Sequence, residues 1–105
     1  MAVEDFAVRN NQEQHRFEID LGDSVAIAVY TPMAGKIMFT HTEVPEAHEG
    51  KGVGTALIRA GLAYARENGL KVIPTCPFIA GYISKHPEWH DIVHETYRER
   101  LGIGA

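Results

Sequence analysis

Residues 1–44 follow a period of two. Phe6 and Val8 open a short strand ahead of Asn10-Asn11, a pair that predicts a turn. Phe17, Ile19 and Leu21 alternate with Arg16, Glu18 and Asp20, which predicts a strand with one buried and one wet face. Gly22-Asp23 closes it as a tight hairpin. Val25 to Tyr30 is apolar at every position, as an interior strand is. Pro32 to Gly35 turns the chain again, and Ile37 to Val44 forms the next strand, ended by Pro45, which has no N–H to donate. These segments predict an antiparallel meander.

Beyond Gly54 the period lengthens. In Thr55 to Asn68 the residues Leu57, Ile58, Gly61, Leu62 and Ala65 fall on one face and Arg59, Arg66 and Glu67 fall away from it. Asn68-Gly69 is a helix stop. Leu70 to Ile73 predicts a short buried strand, and Pro77 suits the first turn of a helix running to about Lys85. Pro87 breaks that helix, and Glu88 to Arg100 is a polar, weakly amphipathic helix or pair of turns. The order predicts an α/β chain of the α+β kind. It is a mostly antiparallel mixed sheet with a βαβ unit at its end and flanking helices, in one domain over residues 1–105.

Composition narrows the function classes. The 105 residues are 45% hydrophobic and 23% charged, a globular balance that argues against disorder and coiled coil. Ten basic against fourteen acidic residues give a net charge of -4, and the basic residues are scattered, so nucleic acid is not an expected partner. The longest apolar run, Val25 to Tyr30, is far short of the roughly 20 residues that span a bilayer. Met1 to Asp5 has neither a basic nor an apolar region, so no secretory leader is expected. The lone Cys76 cannot form an internal disulfide. A soluble, cytoplasmic protein is the expectation.

The chemistry concentrates in Glu49-Gly50-Lys51-Gly52-Val53-Gly54-Thr55, between a strand and a helix. Alternating glycines remove side chains where the unpaired N–H groups and positive end of a helix emerge, which makes a cradle for a phosphate or pyrophosphate, with Lys51 at its rim. Neither G-x-x-x-x-G-K-[ST] nor G-x-G-x-x-G is met. A Gly-rich turn of purely structural role is the competing interpretation.

Val44-Pro45 followed by Glu49 to Ile58 resembles the acyl-CoA loop of the GNAT acetyltransferases, Q/R-x-x-G-x-G/A ahead of an aliphatic helix; Gly52 and Gly54 match and Glu49 departs. Val72 to Phe78 and Tyr82 to Trp89 resemble the small, single-domain, YjdJ-like branch, and the likeness covers roughly residues 5 to 95. The resemblance implies acetyl-CoA as cofactor, with its pyrophosphate on N–H groups from Gly50 to Thr55, including Lys51, Gly52, Val53 and Gly54. It implies a pantetheine arm beside Thr42 and Val44, where that strand splays from the strand at Leu70 to Cys76. Longer members carry one or two helices after the first strand; here Leu21 passes to Ser24 by a turn alone. That implies an open site for the amine of a protein or peptide, or a site completed by a partner.

Acetyl transfer needs a neutral amine, a polarised carbonyl and a proton for the leaving thiolate. Cys76, just before Pro77, sits at or beside a helix N-cap, where a thiolate is stabilised; it is a candidate to take the acetyl group or to act as acid, against the commoner fate of an inert buried cysteine. His41 and Glu43 share one face of their strand and Thr40, Thr42 and Val44 the other; His41 is the candidate base. The positions where the family often has a glutamate and a tyrosine are Met38 and Ile83. Phe78 and Tyr82, at i and i+4, are candidates to pack on the pantetheine, with core packing as the alternative. His86, His90 and His94 repeat every fourth residue, but no H-E-x-x-H is formed and no metal site is expected. Three functions stay open: an N-acetyltransferase, a non-catalytic acyl-CoA-binding module, and a small interaction domain with a structural loop.

Overall fold

The structure, a computed structural model, describes residues 6–102. The expectation for Met1 to Asp5 lies outside them. Five strands form one sheet in the order β1-β2-β3-β4-β5: β1 Arg9–Asn11, β2 Arg16–Asp20, β3 Val25–Met33, β4 Lys36–Glu43 and β5 Lys71–Pro74. β1 to β4 are antiparallel and β5 joins β4 in parallel, with helix α1, Val53–Glu67, as the crossover. Helix α2, Pro77–Ser84, a 3-10 segment Pro87–Ile92 and the one-turn helix α3, Glu95–Arg98, follow.

The meander and the βαβ unit stand as the hydrophobic pattern predicts, with three local corrections. The first strand is Arg9–Asn11, not a segment before Asn10-Asn11; the turn falls at residues 12–15, where Asn11 Oδ1 accepts from Gln14 N at 3.1 Å and His15 takes φ 55°. The link between the first and second strands is this turn, and Leu21 to Ser24 instead joins the second strand to the third. β3 runs on to Met33, and the turn shrinks to Ala34-Gly35. Pro32 is tolerated because β2 pairs β3 only up to Val29, which leaves the end of β3 on an edge. The segment after Pro87 takes the second of its two predicted forms, a pair of turns: a 3-10 turn and one turn of α-helix.

The third correction is Glu18. Its place in the alternation is wet, yet it is 6% exposed. Arg16 Nε donates to it at 2.6 Å and Asn11 Nδ2 at 3.0 Å, and the Arg9 guanidinium also reaches it. These donors, Arg9 first and then Arg16, hold the carboxyl down to about 2, against the penalty of burial. On the other face of the sheet, Phe17, Ile19, Ala26, Ala28, Tyr30, Ile37 and Phe39 pack beneath α1. Phe17 meets Tyr30 at 5.3 Å and Tyr64 at 5.7 Å between ring centroids. Gly61 lets α1 settle on the Phe39 ring, where a Cβ would stand 2.8 Å from it.

The C-terminal segment is pinned to α1 and β5. Arg66 lies over the Trp89 ring at 4.6 Å, contacts the Asp91 carboxylate and donates to Glu88 O at 2.8 Å. His94 N donates to Val72 O at 2.9 Å. The three regularly spaced histidines serve helix ends: His86 Nδ1 lies 2.7 Å from Tyr82 O, His90 Nε2 lies 2.7 Å from Ile83 O, and His94 Nδ1 accepts from Thr96 N at 3.2 Å. Among the described residues no group of three His, Cys, Asp or Glu side chains could hold a metal ion.

Glu18→Gln is expected to lower stability at pH 7 by about 1–2 kcal/mol, less than a fully buried pair would because Arg9 is largely exposed. A carboxyl whose pKa falls from 4.5 to about 2 on folding stabilises fully above its unfolded value and loses that contribution as pH falls toward 2. Urea titrations should therefore find the gap between wild type and variant closing from pH 5 downward; a gap constant with pH contradicts it.

Candidate functional site

The site begins where β4 leaves β5. Their ladder runs from Lys36↔Lys71 to Phe39↔Pro74 and stops. The Phe39 carbonyl closes it, accepting from Cys76 N at 3.0 Å and from Thr75 Oγ1 at 2.9 Å. β4 then continues to Glu43 beside β3 alone. Within it the register slips: Tyr30 pairs Phe39, but Val29 pairs His41, so Thr40 is an extra residue. The bulge reverses the alternation. Thr42, opposite buried Ala28, and Val44 now face the side on which Phe39 lies, while His41 and Glu43 turn to the opposite face. There His41 Nε2 and Glu43 Oε2 are 3.4 Å apart, both more than half exposed.

After Pro45 a 3-10 turn, Glu46–His48, leads to Gly50 and Gly52, both at φ 83°, a left-handed conformation that glycine adopts without strain. Gly52 is the N-cap of α1 and has no side chain to cap it; the first turn carries no acidic residue. The first intrahelical bond is Ala56 N to Gly52 O at 3.0 Å, so the N–H groups of Val53, Gly54 and Thr55 precede it. A helix start with neither a capping side chain nor an acid keeps its donors and its positive end available for an anion. A Cβ at Gly54 would stand 2.5 and 2.8 Å from Phe78 ring atoms and 3.5 Å from Val44, so a side chain here requires the Phe78 ring to move.

Between these elements lies a cleft of about 490 Å³. Of the residues picked out in the sequence, Thr42, Val44, Gly50, Gly52, Val53, Gly54, Thr55 and Phe78 line it. Phe78 is 48% exposed, an aromatic ring left standing at the cleft wall rather than in the core. Cys76 does not line the cleft; it is buried beside Thr42 as the N-cap of α2, its Sγ 3.5 Å from Thr42 Oγ1. Three residues are placed elsewhere. Tyr82 stacks on His86 at 3.8 Å, Lys51 lines a neighbouring cavity, and His41 is on the far face of β4.

Two further residues, His48 and Glu49, line the cleft. Glu49 stands within the glycine motif, but nothing in the local pattern marks His48, because its partner is distant in sequence. Its Nε2 lies 3.0 Å from Asp23 Oδ1, tying the β2–β3 hairpin to the glycine loop. His48, and then the Ser24 hydroxyl, lower the pKa of the Asp23 carboxyl.

Comparison with known proteins agrees with this geometry. A family model described as GCN5-related N-acetyl-transferase matches residues 16–92, from β2 through the cleft to the 3-10 segment. The chain belongs to the GCN5-related N-acetyltransferase family. It is 30% identical over 97 residues to Protein NATD1 of Danio rerio, covering 90% of this chain and 83% of that protein. Against Protein NATD1 of Mus musculus it is 30% identical over 83 residues, 76% of each chain. The solution NMR structure of a GCN5-like protein from Staphylococcus aureus superposes with a TM-score of 0.67 at 28% identity, covering 85% of this chain and 88% of the other. The matched segment spans the uncapped start of α1. Met38 and Ile83 have no side-chain proton to exchange, and Ile83 is fully buried in the core. No helix among the described residues is long and apolar enough to cross a membrane.

Gly52→Ala should destabilise the protein by about 1 kcal/mol, because its φ is left-handed. Gly54→Ala should be close to neutral: helix propensity gains up to about 1 kcal/mol, and the half-exposed Phe78 ring can swing aside. Urea midpoints of the two variants test this ordering, and the reverse order contradicts it.

Proposed function

We propose that this chain is an acetyl-CoA-dependent N-acetyltransferase whose acceptor is an amine on a protein or peptide. The observation that carries the proposal is the junction of an uncapped, acid-free, glycine-lined helix start with two parallel strands that part at Phe39. The residues present fit the cofactor: the N–H groups of Val53, Gly54 and Thr55 suit its pyrophosphate, and the freed edge of β4 at Thr42 and Val44 suits the amides of its pantetheine arm. Bound acetyl-CoA supplies an activated acyl group: a C–N bond forms to the amine, the C–S bond breaks, and the amine's proton ends on the thiol.

The chain's own residues then divide the work. Phe78 walls the arm from water. Cys76, buried behind the cleft-lining Thr42 and within reach of its Oγ1, is assigned to hold the proton for the departing thiolate. His41, partnered by Glu43 on the open face, is assigned to take a proton from an acceptor approaching from that side. The short link at residues 12–15 leaves no helices to wall that face, which supports an extended acceptor over a small enclosed one.

A non-catalytic acyl-CoA-binding module is the second possibility, favoured by Met38 and Ile83. Calorimetry with acetyl-CoA, and with ATP and NAD as controls, tests binding. Saturable binding of acetyl-CoA alone is expected; none at millimolar ligand rejects both proposals. Gly52→Glu should abolish binding by clash and repulsion. Cys76→Ala should slow transfer to a lysine peptide by about 10²-fold or more if Cys76 moves the proton. Binding without any transfer by the wild type selects the module.

A further inference from the structure

Cys76 can reach the cleft only through another side chain. It is 5% exposed and lies outside the cleft lining, whereas Thr42 lines the cleft. The two meet at 3.5 Å between Sγ and Oγ1, and each is held from behind. Cys76 N donates to Phe39 O at 3.0 Å, and Pro77 opens α2 immediately after it. Thr42 sits opposite Ala28 on β3, and the extra residue at Thr40 turns it toward the helix side. Its branched Cβ restricts χ1, so the hydroxyl has few positions to choose from.

A hydroxyl carries one proton and two lone pairs. Thr42 Oγ1 can therefore accept from the Cys76 thiol and still donate its own proton into the cleft. A thiolate left at Cys76 lies at the start of α2, whose first turn carries no acidic residue. His41 and Glu43, one residue to either side of Thr42, face the opposite side of the strand. A proton removed on one face of β4 and a proton delivered on the other thus stay apart.

We propose that Thr42 is a catalytic residue that hands the departing thiolate its proton, relayed from Cys76. As the C–N bond forms and the C–S bond breaks, the Thr42 hydroxyl gives its proton to the leaving sulfur, and Thr42 Oγ1 takes the thiol proton of Cys76. The amine's own proton goes to His41. Cys76 is then a thiolate and His41 an imidazolium, and exchange with water after product release restores both. The proposal rests on the acetyltransferase assignment above and adds the group that joins the buried thiol to the reacting atoms.

The test pairs transfer kinetics with a measurement that needs no turnover. The chain holds one cysteine, so the S–H stretching band in its infrared spectrum belongs to Cys76. In the ligand-free protein that band should move to higher frequency in Thr42→Val, which lacks the acceptor, and stay in place in Thr42→Ser. Calorimetry should give CoA affinities within about twofold of wild type for both variants. Transfer to a lysine peptide should slow about 10²-fold in Thr42→Val and in Cys76→Ala, and the double variant should be no slower than either, because all three break one path. Thr42→Ser should keep the rate within about threefold. Thermal melting checks that Thr42→Val folds, and Thr42→Ala replaces it if it does not. Single losses that multiply to about 10⁴-fold in the double variant overturn the relay. An unmoved S–H band, or Thr42→Val at the wild-type rate, overturns it as well. Lost CoA binding in Thr42→Val makes Thr42 a binding residue and has the same force. A wild type that binds no acetyl-CoA, or binds it and transfers nothing, rejects the acetyltransferase assignment and the relay with it.

Discussion

The carbonyl of Phe39 is the point on which the site depends. It accepts two hydrogen bonds from the chain just beyond β5, from Cys76 N and Thr75 Oγ1, and so ends the parallel ladder there. The ring of the same residue lies in the core beneath Gly61, which fixes α1 over the sheet. One residue thus sets both walls: the height at which the strands part and the distance of the helix that faces the gap. A shift of the ring would move α1, and a shift of the carbonyl would move Cys76.

The extra residue at Thr40 completes this arrangement. Without it, strict alternation from Phe39 would send His41 and Glu43 toward the helix side and Thr42 and Val44 away. The bulge exchanges the two sets. It puts small, uncharged side chains against the cleft and keeps the imidazole and carboxylate on the open face. An inserted residue in one strand re-aims every side chain after it, which is why such irregularities recur beside active sites.

Much of this is legible in the sequence because it follows from short-range rules. Alternation predicts β2 and β4, the aliphatic face predicts α1, and the glycines ahead of that face predict the uncapped helix start. That His41 pairs with Glu43 on one face and Thr42 with Val44 on the other also follows from parity, but which set meets the helix does not, because the bulge at Thr40 reverses it. Where reading along the chain fails, the cause is contact at a distance. Glu18 is buried because Arg9 comes from a neighbouring strand, and the local pattern holds no trace of that partner. The strand at Arg9–Asn11 carries no apolar run; pairing with β2 creates it. His48 gains its place through Asp23, and Lys51 leaves the cleft through the twist of two left-handed neighbours.

The bare start of α1 also bears on the economy of the fold. A serine or aspartate in place of Gly52 would ordinarily secure a helix start by a few tenths of a kcal/mol. The same oxygen would occupy the donors that line the cleft, and its Cβ would strain a left-handed backbone. The sequence gives up that local security, and the core contacts of Leu57, Ile58, Leu62 and Ala65 must hold the helix instead. The helix is therefore anchored along its side and left unfinished at its tip. An anion seated there would act as the missing cap, so occupancy of the cleft and integrity of the helix become one equilibrium.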